Sequence, residues 1–439
     1  MSAAVAVRWS AQVHSVIVAA ASGTSAVLGA LRLKIVAQQT GPSGLGGVTI
    51  ALNATWTLAI VLGLGLATSA AARLASAVGD ADRLLVVDAA LRLSTRVMMA
   101  VGGLLSIGFW SLFAPSGGAH RVVAAMSLGV AVSSIIASNR LLAWLAATQR
   151  IRALAATQVS SAILATVALW LVRAAGPDVI LCVAVSGPAL GLLVSAILCR
   201  PVARRAGPEH WRGVRAVLDD LRWMVATGAA ASTSPLVLTL TQLVGAMWLA
   251  RRFSLETAGD FQASASVATA VLTVVMASLN AVYLPRLSAP SASQPALVHS
   301  EARKTAVLLG LTVTALSLVA PMLLSLLYAP QFSENAGEFR WFMLGMILKA
   351  FSWIFAYPLL SAGRSARFAL LELLWAGTYL LLLTVLAGAI GSGPGLAYAI
   401  AGAASLVLAL IVTHRVPRRD ALVSMTASAA SLLLIALSG

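Results

Sequence analysis

Apolar runs of 18 or more residues recur along the whole of this chain, and that repetition decides most of what it can fold into. Runs of this length match the hydrocarbon thickness of a bilayer when wound as α-helices. Inside lipid the backbone must satisfy its own hydrogen bonds, so helices are the spanning element for such runs. Twelve core spans follow, roughly 11–33, 45–72, 95–114, 121–146, 152–172, 178–199, 222–249, 261–284, 304–328, 339–361, 367–390 and 394–414. A last run, 421–438, reads as a thirteenth span or as a surface-lying helix. The expected class is an all-α, polytopic integral membrane protein.

Composition agrees. Only 10% of residues are charged and 60% are hydrophobic, where soluble domains carry about 25% charged residues. The net charge of +16 is no nucleic-acid signal, because the basic residues are spread through short loops rather than gathered on one face. With the N-terminus inside, the inner loops hold 21 Lys and Arg and the outer ends seven. That bias places the N-terminus in the cytoplasm. Cys182 and Cys199 lie in one predicted helix, about 25 Å apart, too far for a disulfide. The first run lacks a small-residue cleavage site and is longer than a signal-peptide core. No phosphate-binding glycine loop, GxSxG, HExxH or metal-spaced histidine or carboxylate pair occurs, so no enzyme activity or cofactor is expected.

The longest loop, 200–221, is a basic cytoplasmic linker at mid-chain with the makings of an amphipathic surface helix. It separates a six-span half, 1–199, from a second, 222–414, and leaves 415–439 for the extra helix. The halves echo each other. Gly46 precedes Arg73 by 27 residues and Gly259 precedes Arg286 by 27, an offset of 213. Two parallel six-helix repeats are a common transporter plan, with the substrate site between them.

Polar residues inside the spans carry the functional signal. From Gln262 the eighth span places Ser266, Thr269, Thr273, Asn280 and Tyr283 at alternating steps of four and three, with Met276 the apolar member. Those steps keep one helix face, which should turn toward other helices or a watery cavity. Asn53 is the matching polar candidate in the second span. Arg32 and Lys34 end the first span, Arg140 lies in the fourth, Lys349 in the tenth and Glu372 in the eleventh. A charge at mid-membrane costs at least a few kcal/mol, so each needs a role or a partner.

Arg140 is near enough to the cytoplasm to snorkel, and Lys34 suits an interfacial anchor. Lys349 and Glu372 are candidates for an ion pair, but their depths, ~18 and ~10 Å from the cytoplasmic ends of their helices, differ by ~8 Å. Cations dominate the interior, which suits an anionic ligand such as a phosphate. Asp260 and Glu372 are the candidates for proton coupling. His14 more simply lies at the interface, and Asp260 caps its helix.

Three stretches resemble the Wzx-type polysaccharide flippases of the multidrug/oligosaccharidyl-lipid/polysaccharide exporter superfamily. The first is Leu31 to Ser76, LRLKIVAQQTGPSGLGG followed by an apolar span and ARLAS. The second holds Ala258-Gly259, Gln262-Ala263 and Tyr283-Leu284-Pro285-Arg286-Leu287-Ser288. The third runs from Gly345 to Glu372 with Lys349, Ser352-Trp353 and Ala362-Gly363-Arg364, as in the O-antigen and enterobacterial-common-antigen branch. The resemblance implies two six-helix bundles around a central cationic cavity, acting as a monomer.

It implies movement of undecaprenyl-diphosphate-linked oligosaccharide between leaflets by alternating access, for surface polysaccharide biosynthesis. The lipid-linked oligosaccharide and membrane lipids are the implied partners, with the polysaccharide polymerase and chain-length machinery as neighbours. Arg32, Lys34, Arg140 and Lys349 would then serve the diphosphate or acidic sugars, and Asp260 and Glu372 the coupling. This chain departs from the family in its richness in Ala and Arg. Two other readings stay open: a cation-coupled multidrug exporter of the same superfamily, and a membrane-embedded polymerase or ligase.

Overall fold

The computed structural model describes residues 3–63, 66–77, 80–113, 119–148, 150–203, 214–279, 283, 287, 294–388, 393–413, 425–427, 429–430 and 434. Among the described residues the elements are helical: α1 (Ala3–Gly63), α2 (Leu66–Ala77), α3 (Ala81–Phe113), α4 (Ala119–Ala147), α5 (Ile151–Leu171), α6 (Pro177–Ala203), α7 (Val214–Arg252), α8 (Leu255–Ser278), α9 (Gln294–Leu318), α10 (Ala320–Leu327), a 3-10 turn (Pro330–Asn335), α11 (Ala336–Ser361), α12 (Ser365–Leu386) and α13 (Gly393–Thr413). Among them, eight spans are long and apolar enough to cross a bilayer, or nine if the bent pair α9–α10 counts as one.

The expected all-α polytopic class is therefore present, while the expected count of twelve is not matched one for one. The first two predicted spans share α1, which breaks at Gly41. The run 421–438 falls mostly outside the described residues.

Two compact units form, and each is described by itself. The first holds residues 1–39 and 47–243, the second 40–46 and 244–439. In the first, α4 packs between α3 and α6, α5 lies on α6, and α2 closes on α3 and α4. Arg73 at the end of α2 donates from Nε to Asp220 at 2.7 Å and lies over the Trp223 ring. Residues 214–221 are thus the first turns of α7, held against the bundle. The rest of the predicted linker, apart from residues 200–203 of α6, lies outside the described residues.

In the second unit α11 is the buried axis and packs against α13, α9, α8 and α12. Small residues allow the close approach. A Cβ on Gly402 would lie 2.6 Å from the Gly345 carbonyl, and Ser352 and Ser405 hydrogen-bond across the same seam. Helix association in lipid rests on such packing and polar contacts rather than on a hydrophobic drive.

Two prolines break this unit's helices, and each freed carbonyl finds a donor. A helical proline removes the hydrogen bond to the carbonyl four residues back. Pro321 frees that of Ser317, which accepts from Arg340 Nε at 3.3 Å; α9 and α10 meet there at 78°. Pro358 frees that of Ile354, which accepts from the Tyr283 hydroxyl at 2.9 Å.

A short piece of α1 belongs to the second unit. Gly41 has φ 66° and ψ −169°, a combination open to glycine, and Pro42 follows it. Residues 40–46 lie on the start of α8. A Cβ on Gly46 would meet the Leu255 carbonyl at 2.2 Å, and one on Gly259 would clash with the Pro42 carbonyl.

Candidate functional site

In the first unit, α1 carries Arg32 into a seam with α5 and α6. Its guanidinium passes Gly187, where a Cβ would lie 3.4 Å from Nη1, and its Nε is buried without a hydrogen-bond partner. The Thr166 hydroxyl reaches the Leu28 carbonyl one turn away. Ser25, seven residues back on the Arg32 face, and Gln158 on α5 also keep buried oxygens without partners. No carboxylate pairs with Arg32 among the described residues. Lys34 is half-buried nearby on α1.

Arg140 is placed differently from Arg32. Asp88 of α3, 2% exposed, takes Arg92 Nε at 2.6 Å, Arg140 Nη2 at 3.2 Å and Trp144 Nε1 at 2.9 Å. Arg140 therefore closes an α3–α4 network instead of standing as a free cation or snorkelling alone. The signal that finds this is Asp88-x-x-x-Arg92, an i, i+4 pair that becomes visible once α3 is seen to begin at Ala81 rather than near 95.

Lys349 is fully buried inside the second unit, 0% exposed, with Nζ 2.8 Å from Glu372 Oε1 and 4.3 Å from the Trp375 ring centroid. The depth mismatch is bridged along α11. Trp353, one turn or ~5 Å beyond Lys349, donates its indole N–H to the same carboxylate oxygen at 3.0 Å. Two donors one turn apart on α11 thus converge on one carboxylate oxygen. In this conformation the two side chains are spent on each other inside the second unit.

The stripe on α8 divides. Gln262 is buried; Ser266 hydrogen-bonds to the Tyr328 hydroxyl; Tyr283, 1% exposed, serves the Ile354 carbonyl. Thr269 and Thr273 donate to carbonyls four residues back on their own helix, and Thr273 is exposed. The stripe is thus largely spent inside the bundle, because the carbonyl freed by Pro358 and the buried Tyr328 need its hydroxyls. Asn280 lies outside the described residues, and Asn53 is half-buried in α1. Asp260 does not cap α8, a task taken by Ser254, whose side chain accepts from the Thr257 N–H; Asp260 accepts instead from Asn335 Nδ2 at 2.9 Å.

No family model and no curated protein sequence matches this chain. Solved structures do. The lipid II flippase MurJ in an inward closed conformation superposes with a TM-score of 0.73 at 14% identity, covering 95% of this chain and 92% of that one. An inward-facing multidrug resistance MATE family transporter of the MOP superfamily gives 0.66 at 14% identity, covering 94% and 96%. The MATE multidrug transporter DinF-BH gives 0.63 at 15%, covering 92% and 95%. The chain has the fold of these transporters over nearly its whole length.

Proposed function

We propose that this protein is a transporter that moves undecaprenyl-diphosphate-linked oligosaccharide across the bacterial inner membrane by alternating access, for surface polysaccharide biosynthesis. The observation that carries the reading is Arg32, a guanidinium in the seam of α1, α5 and α6 with a buried Nε that no described protein group satisfies. An uncompensated buried cation is expensive, so a fold that keeps one reserves it for an anion. Arg suits a diphosphate because its planar fork matches two phosphate oxygens. Lys34, two residues on, adds charge on the same segment. Ser25 and Gln158 supply unused hydrogen-bonding capacity of the kind that sugar hydroxyls take up. The likeness to a lipid II flippase supports a lipid-linked cargo. A cation-coupled drug exporter would call for acidic residues deep in its spans rather than an unpaired arginine.

The test is Arg32→Gln with Arg32→Lys beside it. A charge-assisted bond to phosphate contributes about 1.5–3 kcal/mol, or roughly ten- to a hundredfold in affinity. Arg32→Gln should lower export of surface polysaccharide by that order, and Arg32→Lys should recover only part. Protein level and melting temperature should hold or rise, since a binding group is being removed rather than a structural one. Wild-type export by Arg32→Gln, or loss of export that merely follows loss of folded protein, would sink the assignment.

A further inference from the structure

Two glycines frame the Arg32 guanidinium, one from its own helix and one from α6. Cα–Cβ bonds tilt toward a helix N-terminus, so the Arg32 side chain runs back over the turn before it. Gly29 sits there, three residues earlier and on the same face. A Cβ at Gly29 would lie 3.8 Å from Arg32 Nη2. Among the described residues that is the one contact within 4 Å it would make beyond its own backbone and chain neighbours. On the other side stands Gly187, where a Cβ would lie 3.4 Å from Arg32 Nη1 and 3.3 Å from the Ala165 Cβ of α5. The three helices are tied at this level. Thr166, next to Ala165, reaches with its hydroxyl the Leu28 carbonyl, next to Gly29, at 3.4 Å.

Glycine inside a helix costs stability relative to alanine, so each of these positions calls for a reason. Backbone conformation is not the reason, since neither glycine has a positive φ. Close packing accounts for part of Gly187, through Ala165, but for nothing at Gly29. What Gly29 leaves room for is the guanidinium and whatever the guanidinium binds. A charge-assisted N–H···O bond places the oxygen about 2.7–2.9 Å from the nitrogen. A methyl group 3.4 or 3.8 Å from that nitrogen would crowd such an oxygen and the group that bears it. Without the methyls, Nη1, Nη2 and the unpartnered Nε stay open along the seam. Bidentate pairing needs the guanidinium plane held in one orientation.

We propose that Gly29 and Gly187 are positioning residues, forming a slot that holds the Arg32 fork open to two oxygens of a lipid-borne diphosphate. This rests on Arg32 being the anion-binding group and assigns the shape of its site to two residues that touch no charge on the ligand themselves.

The experiment titrates undecaprenyl diphosphate into the full chain by native mass spectrometry, with undecaprenol as the tail-only probe. Melting temperature is recorded on the same samples. Gly29→Ala and Gly187→Ala should each bind the diphosphate about tenfold more weakly, the loss of one charge-assisted bond. The melting temperature of Gly29→Ala should hold or rise, because alanine is the better helix former. Gly23→Ala, with open space around its Cβ, should bind as wild type does. In an Arg32→Gln background both glycine variants should change affinity by less than about twofold, since the group they position is gone. Undecaprenol should bind all variants alike. If Arg32→Gln binds the diphosphate as wild type does, the reading of Arg32 fails and the slot with it. If Arg32→Gln loses affinity while Gly29→Ala keeps it, the slot alone is overturned. It is overturned too if the effect of Gly29→Ala persists without Arg32 or comes with a fall in melting temperature. Should Gly187→Ala fail to accumulate, Gly29→Ala decides.

Discussion

Replacing Lys349 by Met tests whether the most deeply buried charge among the described residues is structural. Its Nζ is 2.8 Å from Glu372 Oε1, and the two side chains are 0% and 2% exposed. Removing the lysine leaves a carboxylate in the bundle without its cation, which costs about 3–5 kcal/mol. Losing the contact with the Trp375 face, 4.3 Å from Nζ, adds about 0.5–2 kcal/mol. That total is a large share of the roughly 5–15 kcal/mol that holds a fold together.

The double variant Lys349→Met/Glu372→Gln removes both charges and keeps side chains of similar size, so most of the loss should return. The double-mutant cycle should then show a coupling energy above about 2 kcal/mol. Unfolding is followed by loss of the monodisperse peak after heating, with protein level in cells as a second measure. The reasoning is refuted if Lys349→Met is as stable as wild type. A stable Lys349→Met variant that fails in transport would return Lys349 to the substrate.

Gly46→Ala and Gly259→Ala should destabilise by similar amounts, about 1–3 kcal/mol or more, since each Cβ meets a backbone carbonyl that cannot swing aside. Gly47→Ala, with open space around its Cβ, is the control and should melt with wild type. Asp88→Asn should destabilise the first unit by about 3 kcal/mol, because Arg92 and Arg140 both lose their counter-charge. Adding Arg140→Gln should restore part of that loss, as read from melting temperature.

The class of the fold was legible because length and hydropathy are properties of the chain itself. Candidate charges were legible too, since any charge within an apolar run draws attention. What each charge does was not, because that depends on which helices meet. Arg140 looks like a snorkelling residue until α3 brings Asp88 against α4. Lys349 and Glu372 look mismatched in depth until α11 and α12 are packed together, where Lys349 and Trp353 both reach the one carboxylate. The α8 stripe alone does not tell a watery cavity from helix packing, and it is Pro358, 75 residues away in sequence, that claims Tyr283. Gly29 drew no notice, because a lone glycine in a helical run is tolerated; the guanidinium laid over it is what makes it unusual.

The echo between Gly46 and Gly259 has a counterpart in the packing of the second unit. The offset of 213 that carries Gly46 to Gly259 also carries Gly41 to Ser254 and Pro42 to Leu255. The contacts respect it: Gly46 packs on Leu255, and Gly259 packs on Pro42. Equivalent residues thus touch reciprocally, as in an isologous interface between like subunits. The two halves start the helix by different chemistry at the same position. The first uses Gly41 at positive φ with Pro42 preset for the first helical turn. The second uses Ser254 in an extended conformation, its hydroxyl accepting from the Thr257 N–H. Sequence comparison of a Gly-Pro step with a Ser-Leu step finds nothing in common. What the two stretches share is the small residue four or five positions later, where they pack against each other inside the second unit.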